Sequence, residues 1–115
     1  MFSSSAQRML IPGVFIVFFS LVISVAGCKS NAKSVTYTSD IGTLLTKRCV
    51  GCHNPNGSAK KIPLDNYDNV KATVKPGNAS GSRLIKAVDG GRMRGRASEG
   101  EVDLLKKWVN QGAPK

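Results

Sequence analysis

The chain has 115 residues, which excludes a multidomain architecture and leaves room for one small domain. It carries 17 lysine and arginine residues against 7 aspartate and glutamate residues, a formal net charge of +10 that favours nucleic acid, anionic lipid or an acidic protein as partner. A domain of this size is a thin basis for an independent hydrophobic core, which indicates that a further group contributes to it.

The N-terminal stretch predicts export. Arg8 is the only charged residue before an uncharged, largely apolar stretch from residue 9 to residue 27, and this order is typical of a signal peptide. The stretch is also long enough to be an uncleaved membrane-spanning helix. Either outcome places the rest of the chain outside the cytoplasm, which argues against nucleic acid as the anionic partner.

The stretch ends with the residues VAGC at positions 25–28, which resemble a bacterial lipobox. The resemblance implies a lipoprotein signal peptide over residues 1–27 and a lipid on Cys28. The acyl chains would anchor the mature protein in a membrane, facing the periplasm or the cell exterior. Residues 28–38 are polar and lack periodicity, which predicts a lipidated N-terminus followed by a flexible tether.

Residues 39–115 are predicted to form one all-α domain, because helical signals recur and no segment alternates for long with a period of two. Ser39 is expected to cap the first helix, from about Asp40 to Arg48. Three apolar residues of this segment follow one another at i, i+3 and i+4 and form one face.

Three further helices are expected after this first one. Asp65 is expected to cap a short second helix, and Ser80 or Ser82 is expected to open a short third one. The last helix has the clearest start, because Ser98 and Glu101 form a capping box, with serine first and glutamate three residues later. Apolar residues at helical spacing follow this box.

The stretch CVGCHNPNG, residues 49–57, has three competing interpretations. Structural zinc normally takes four ligands, and His53 is the only histidine in the chain. A thioredoxin-like dithiol would need a strand-to-helix context, whereas Cys49 and Cys52 follow a predicted helix. The order Cys-x-x-Cys-His suits a c-type haem, because the two thiols can add to its vinyl groups and the adjacent imidazole can bind its iron.

Five segments between residues 39 and 114 together resemble a small bacterial mono-haem class I cytochrome c. They are, in order, IGTLLTKRCVGCHNPNG, LDNYDNVK, PGNASGSRLIKAV, GGRM and SEGEVDLLKKWVNQGAP. The resemblance implies one haem c attached through Cys49 and Cys52, with His53 as an iron ligand. It also implies about four short helices around the haem. The haem would then supply the apolar surface that the chain lacks.

The resemblance also implies the second axial ligand of the iron. Met93 lies just before the last helix, where this family places its distal methionine, and it is the only methionine after the signal peptide. Many members of the family have proline after the methionine, whereas this chain has Arg94 and Gly95, which predicts a softer loop. Lysine ligation and an open iron position remain alternatives. The second ring nitrogen of His53 is expected to donate to a backbone carbonyl near Ile62.

The resemblance implies an electron carrier rather than an enzyme. Its iron would cycle between Fe(III) and Fe(II), either between redox partners or within a respiratory or photosynthetic complex, without a small-molecule substrate. The expected partner is an acidic redox protein or a membrane electron-transport complex. The basic residues Arg92, Arg94 and Arg96 have three interpretations: a solvated loop, partners of the haem propionates, or a docking rim. The alternative functions are a haem enzyme or gas sensor with an open distal position, and a lipoprotein without haem.

Overall fold

The computed structural model describes Gly27 and residues 32–115. The chain forms a π-helical turn, Tyr37–Ile41, which continues into helix α1, Gly42–Arg48; then follow α2, Tyr67–Lys71, α3, Arg83–Asp89, and α4, Glu99–Asn110. Within the described residues, β pairing is limited to one isolated bridge between Lys75 and Asn78. The all-α prediction is therefore confirmed for this part of the chain.

The predictions for the signal peptide and for a lipid on Cys28 concern residues outside the described part of the chain. No helix among the described residues is long and apolar enough to cross a membrane.

The first helix begins earlier than the sequence predicted. Thr36, rather than Ser39, is the capping residue: its hydroxyl accepts a hydrogen bond from the backbone N–H of Ser39 at 3.2 Å. The carboxylate of Asp40 accepts in return from the N–H of Thr36, also at 3.2 Å. This exchange satisfies N–H groups that the start of a helix leaves without partners. The predicted apolar face is confirmed, since Ile41, Leu44 and Leu45 are all buried.

The folded domain also begins before residue 39. Val35 is buried, and its N–H donates to the side-chain oxygen of Gln111 at 3.1 Å. The N–H groups of Tyr37 and Thr38 donate to the carbonyls of Pro114 and Lys115, both at 3.0 Å. Residues 35–38, which the sequence assigned to the tether, are therefore joined to the C-terminal segment.

The two central helices are short, and their capping differs in detail from the prediction. Asn66 caps α2 by accepting from the N–H of Asn69 at 2.9 Å, while the neighbouring Asp65 accepts from the Asn69 side chain at 2.8 Å. Ser82 precedes α3 but makes no capping bond. Its fully buried hydroxyl instead accepts from the N–H of Lys75 at 2.8 Å, which fixes the connection between α2 and α3.

Helix α4 follows the sequence prediction closely. Both bonds of the capping box are present, from the N–H of Glu101 to the Ser98 hydroxyl and from the N–H of Ser98 to the Glu101 carboxylate. Leu105 and Trp108 are buried on its inner face, and the indole N–H of Trp108 donates to the carbonyl of Pro114 at 2.8 Å. The helix packs against α3 and against the π-helical turn.

Candidate functional site

A cavity of about 670 Å³ lies among the end of α1, the loop of residues 52–64, helix α3 and the loop of residues 91–96. Its volume falls within the roughly 300–1,000 Å³ that is usual for cavities that bind organic ligands and cofactors. The cavity brings together the side chains predicted from the sequence, Cys49, Cys52, His53 and Met93. Cys49 and Met93, which lie far apart in the sequence, therefore face one space.

The cavity wall combines apolar and cationic side chains. The apolar members are Ala59, Ile62, Leu64, Leu84, Ala87 and Val88. The cationic members are Arg48, Arg83, Lys86, Arg92 and Arg96. Among the described residues, the only ion pair that any of these cations makes is the one between Arg48 and Glu101. Such a wall suits a mostly apolar group with anionic substituents, because uncompensated cations favour negative charge nearby.

A second concave region, of about 740 Å³, lies between the first helical segment and the start of α2. It is shallower and is lined by polar and aromatic side chains, including Tyr37, Asp65 and Tyr67. None of the four predicted site residues lines it. The deeper cavity at the cysteines is therefore the better candidate for a binding site.

The two cysteines lie in a turn that directly follows α1. The N–H of Cys49 donates to the carbonyl of Leu45 at 2.7 Å, and the N–H groups of Cys52 and His53 both donate to the carbonyl of Cys49, at 3.1 and 2.9 Å. The thiols are free, with Cys49 half-buried and Cys52 exposed. The turn reverses the chain between Cys49 and Cys52, so both thiols line the same cavity.

The environment of Cys49 does not favour a reactive thiolate at this position. Burial raises the pKa of its thiol, the nearby carboxylate of Glu101 raises this pKa further, and Arg48 opposes the shift. Reactive cysteines in dithiol enzymes instead have a lowered pKa, because the thiolate is the nucleophile.

The zinc interpretation finds no ligand set in residues 32–115. No three histidine, cysteine, aspartate or glutamate side chains converge there closely enough to hold a metal ion. Cys49, Cys52 and His53 therefore do not form the compact tetrahedral arrangement that structural zinc requires.

His53 is held by three hydrogen bonds. Its backbone N–H donates to Cys49, its carbonyl accepts from the N–H of Leu64 at 2.8 Å, and its ring Nδ1 lies 2.8 Å from the carbonyl oxygen of Ile62. Because a carbonyl oxygen only accepts, Nδ1 carries a proton, and in the neutral ring Nε2 is then the nitrogen with a lone pair for a metal. The predicted hydrogen bond to the backbone near Ile62 is confirmed.

Met93 lies in a loop that hydrogen bonds hold against the end of α3. Its N–H donates to the carbonyl of Ala87 at 2.9 Å, and the N–H of Arg94 donates to Gly91 at 3.1 Å. Its side chain is half-buried against the core. Proline in place of Arg94 would lack the second N–H. These backbone bonds therefore restrain the loop that the sequence predicted to be soft.

No protein-family model matches this chain, and no match was found among curated proteins or solved structures. The resemblance to class I cytochromes c therefore rests on the sequence motifs of this chain alone.

Of the three arginines that surround Met93 in sequence, Arg92 and Arg96 line the cavity.

Asn54 and Gly57 support the turn that contains the two cysteines. Neither residue was predicted from the sequence to belong to the site. A Cβ added to Gly57 would overlap the carbonyl oxygen of Cys52, so this close approach requires glycine. The dense run of turn-forming residues, NPNG at positions 54–57, was the available signal.

We predict that Gly57→Ala lowers the free energy of unfolding by about 1–3 kcal/mol, because relieving the overlap must displace the Cys52 backbone. Gly51→Ala, in the same turn, is the matched control: its Cβ meets no atom within 4 Å, and we expect a change within about 0.5 kcal/mol. Urea denaturation followed by circular dichroism measures both. Equal losses for the two variants would contradict the close contact at Gly57.

Glu101 joins α4 to the residue that precedes Cys49. Its carboxylate accepts from the N–H of Ser98 at 2.8 Å and from Nε of Arg48 at 3.0 Å. The hydrogen bond from Ser98, followed by that from Arg48, holds the pKa of this carboxyl below its usual range. Because the folded state favours the ionised form, this stabilisation is present above the ordinary glutamate pKa of about 4.3 and is lost as the pH falls through the lowered value.

Glu101→Gln is therefore expected to be less stable than the wild type at neutral pH, with the difference shrinking as the pH falls below about 4. Denaturant titrations across this range test the trend. Glu99→Gln controls for the loss of one negative charge, since the Glu99 side chain makes no hydrogen bond or ion pair within residues 32–115. A difference at Glu101 that is constant with pH would contradict this role.

Proposed function

We propose that this chain is a membrane-tethered electron-transfer cytochrome c. It carries one haem c joined to Cys49 and Cys52, with His53 and Met93 as axial iron ligands. The observation that carries the proposal is one cavity lined by both thiols, by an imidazole whose Nε2 is free, and by the only thioether in residues 32–115. These are the donors that a c-type haem uses.

The cavity wall supports a haem over a smaller ligand. The apolar side chains of the loop and of α3 match the face of the macrocycle. Arg83, Lys86, Arg92 and Arg96 supply positive charge for the two propionates. The four short helices are compatible with the class I cytochrome c fold, in which the haem completes a core that the chain alone leaves small.

In this proposal the residues of the chain bind and orient the haem and do not transform a substrate. The bound haem supplies one-electron chemistry between Fe(III) and Fe(II). The bond from Nδ1 of His53 to Ile62 fixes the tautomer and the orientation of the ring. The backbone bond from Met93 to Ala87 holds the loop that would present the Met93 sulfur to the iron. Two ligands retained in both oxidation states keep structural reorganisation small, which suits a carrier rather than a catalyst.

The proposed partner is an acidic redox protein or a membrane electron-transport complex. Arg83, Lys86, Arg92 and Arg96 are exposed as well as lining the cavity, so they form a positive rim around it. Complementary charge accelerates encounter, and the rate should fall as salt rises. The carrier would act as a shuttle or as a subunit of a respiratory or photosynthetic complex.

The proposed anchor is a lipid on Cys28, which faces the periplasm or the cell exterior. Seven residues lead from Cys28 to the buried Val35, and a fully extended chain of that length spans roughly 25 Å. The haem domain would therefore stay close to the membrane surface and to its electron-transport complexes.

Visible spectra of the matured protein, oxidised and reduced, test this proposal. We expect the reduced spectrum of a thioether-linked haem and, in the ferric state, the weak far-red band that reports methionine sulfur on iron. Carbon monoxide should bind the reduced protein slowly or not at all. Rapid, tight carbon monoxide binding would instead support the haem enzyme or gas sensor with an open distal position.

A further inference from the structure

Asn54 closes the segment that separates the two cysteines. Its side-chain Nδ2 donates to the carbonyl of Val50 at 2.7 Å and to the carbonyl of Gly51 at 3.3 Å. Its Oδ1 accepts from the backbone N–H of Asn56 at 2.9 Å. Val50 and Gly51 are the two residues between Cys49 and Cys52, so a single amide group contacts both.

No backbone N–H in residues 32–115 donates to these two carbonyls. The Gly51–Cys52 peptide group is also held through its N–H, which donates to Cys49, as does the N–H of His53. The Val50–Gly51 peptide group has no such backbone bond, and the side chain of Asn54 is its hydrogen-bond partner within residues 32–115. Rotation of those peptides would change the separation and the direction of the two sulfurs. The side chain of Asn54 therefore restrains the part of the backbone that sets the thiol geometry.

We propose that Asn54 is a positioning residue for haem attachment. This inference rests on the proposed function. Each thiol adds across one vinyl group: sulfur bonds to the carbon next to the ring, and the thiol hydrogen goes to the terminal carbon. The addition needs no oxidant or reductant and has no leaving group. It does require both sulfurs to reach adjacent vinyl groups, and Asn54 holds the peptide groups that determine this reach.

The amide is the suitable side chain for this task. One end must donate to two carbonyl oxygens, and the other must accept from Asn56, which asparagine does with one planar group. Aspartate has the same shape but would direct a carboxylate oxygen at two carbonyls. Alanine would leave both carbonyls without this donor. Gly57 leaves room for the amide, because a Cβ there would lie 3.0 Å from Nδ2.

The test uses the full chain, matured in cells that attach haem to c-type cytochromes. We compare the wild type with Asn54→Ala, Asn54→Asp and a matched control, Asn66→Ala. Asn66 also accepts from a backbone N–H through its side chain, but it caps α2 and makes no hydrogen bond to the cysteine turn. After denaturation, free thiols are alkylated, and mass spectrometry counts chains with two thioethers and chains with one.

We expect two thioethers in the wild type and in Asn66→Ala. In both Asn54 variants, the ratio of doubly to singly attached chains should fall several-fold. Their reduced absorption bands should move to longer wavelength, because one vinyl group stays conjugated with the ring. Loss of a helix cap does not produce this signature, so the readout separates positioning from general stability.

If the ratio of doubly to singly attached chains is the same in the Asn54 variants as in Asn66→Ala, the proposed role of Asn54 is wrong. The proposed function would still stand in that case, provided that the wild type carries two thioethers. A wild type without attached haem would overturn both. If Asn54→Ala does not accumulate in the cells, the same ratio measured on the isosteric Asn54→Asp tests the proposal. If neither Asn54 variant accumulates while Asn66→Ala accumulates normally, a role of Asn54 limited to haem attachment is also overturned.

Discussion

Trp108→Ala is expected to lower the free energy of unfolding by about 3–5 kcal/mol, the largest stability loss that we predict for a single substitution. The indole is fully buried on α4, and its ring centroid lies 6.4 Å from that of Tyr37 in the π-helical turn. The substitution removes this packing and also the hydrogen bond to Pro114. Domains of this size have roughly 4–13 kcal/mol of total stability, so the variant should be close to unfolding at growth temperature.

Trp108→Phe separates the two contributions of the indole. It keeps an aromatic ring but removes the hydrogen bond from the indole, so that the Pro114 carbonyl keeps only the N–H of Tyr37 as a donor. We expect a smaller loss of about 1–2 kcal/mol. Urea denaturation of the matured protein measures both variants. A loss below about 1 kcal/mol for Trp108→Ala would contradict a central role for this side chain in the core.

Met93→Leu should change the redox properties most. Leucine resembles methionine in volume but has no sulfur, so the far-red ferric band should disappear. Because methionine ligation favours ferrous iron, the reduction potential should fall, on the order of 0.1–0.3 V within the roughly 0.8 V that axial ligands span. Carbon monoxide should then bind the reduced protein readily.

Arg94→Leu is the matched control for this experiment. Arg94 directly follows Met93 and does not line the cavity, so its replacement should keep the far-red band and leave carbon monoxide binding slow. Potentiometric titration and carbon monoxide mixing measure the two variants side by side. Retention of the band and of the potential in Met93→Leu would contradict methionine ligation and leave lysine or an open position as the alternatives.

Features encoded within a few neighbouring residues could be predicted from the sequence. The capping box of α4 needs only Ser98 and Glu101, three residues apart, and both of its bonds are present. The all-α class followed from periodicity in the same way. The hydrogen bond from His53 to Ile62 could be predicted because a metal-binding histidine usually donates its other ring N–H to a backbone carbonyl, and the loop around Ile62 follows closely in the sequence.

Features that depend on distant segments could not be predicted. Val35 looked like part of a polar tether, because its partner, Gln111, is 76 positions away. Asn66 and Asp65 are adjacent and equally able to cap α2, and only the backbone path decides between them. The ion pair of Arg48 with Glu101 likewise depends on the packing of the first helix against the last.

The local part of the candidate site could be predicted from the sequence, whereas the part that depends on distant segments could not. Cys49, Cys52 and His53 are neighbours, so their motif is visible in the sequence. The placement of Met93 in the same cavity depends on the path of the chain through α2 and α3. The supporting contact of Asn54 was missed, although it is local, because asparagine in a turn has many common roles and no pattern distinguishes this one.

Mass spectrometry of a proteolytic peptide that contains residues 49–53, from the naturally matured protein, shows whether haem is attached. We predict one tetrapyrrole linked to this peptide through both cysteine sulfurs. Recovery of the peptide with two unmodified thiols and no tetrapyrrole, from cells that mature other c-type cytochromes, would contradict it.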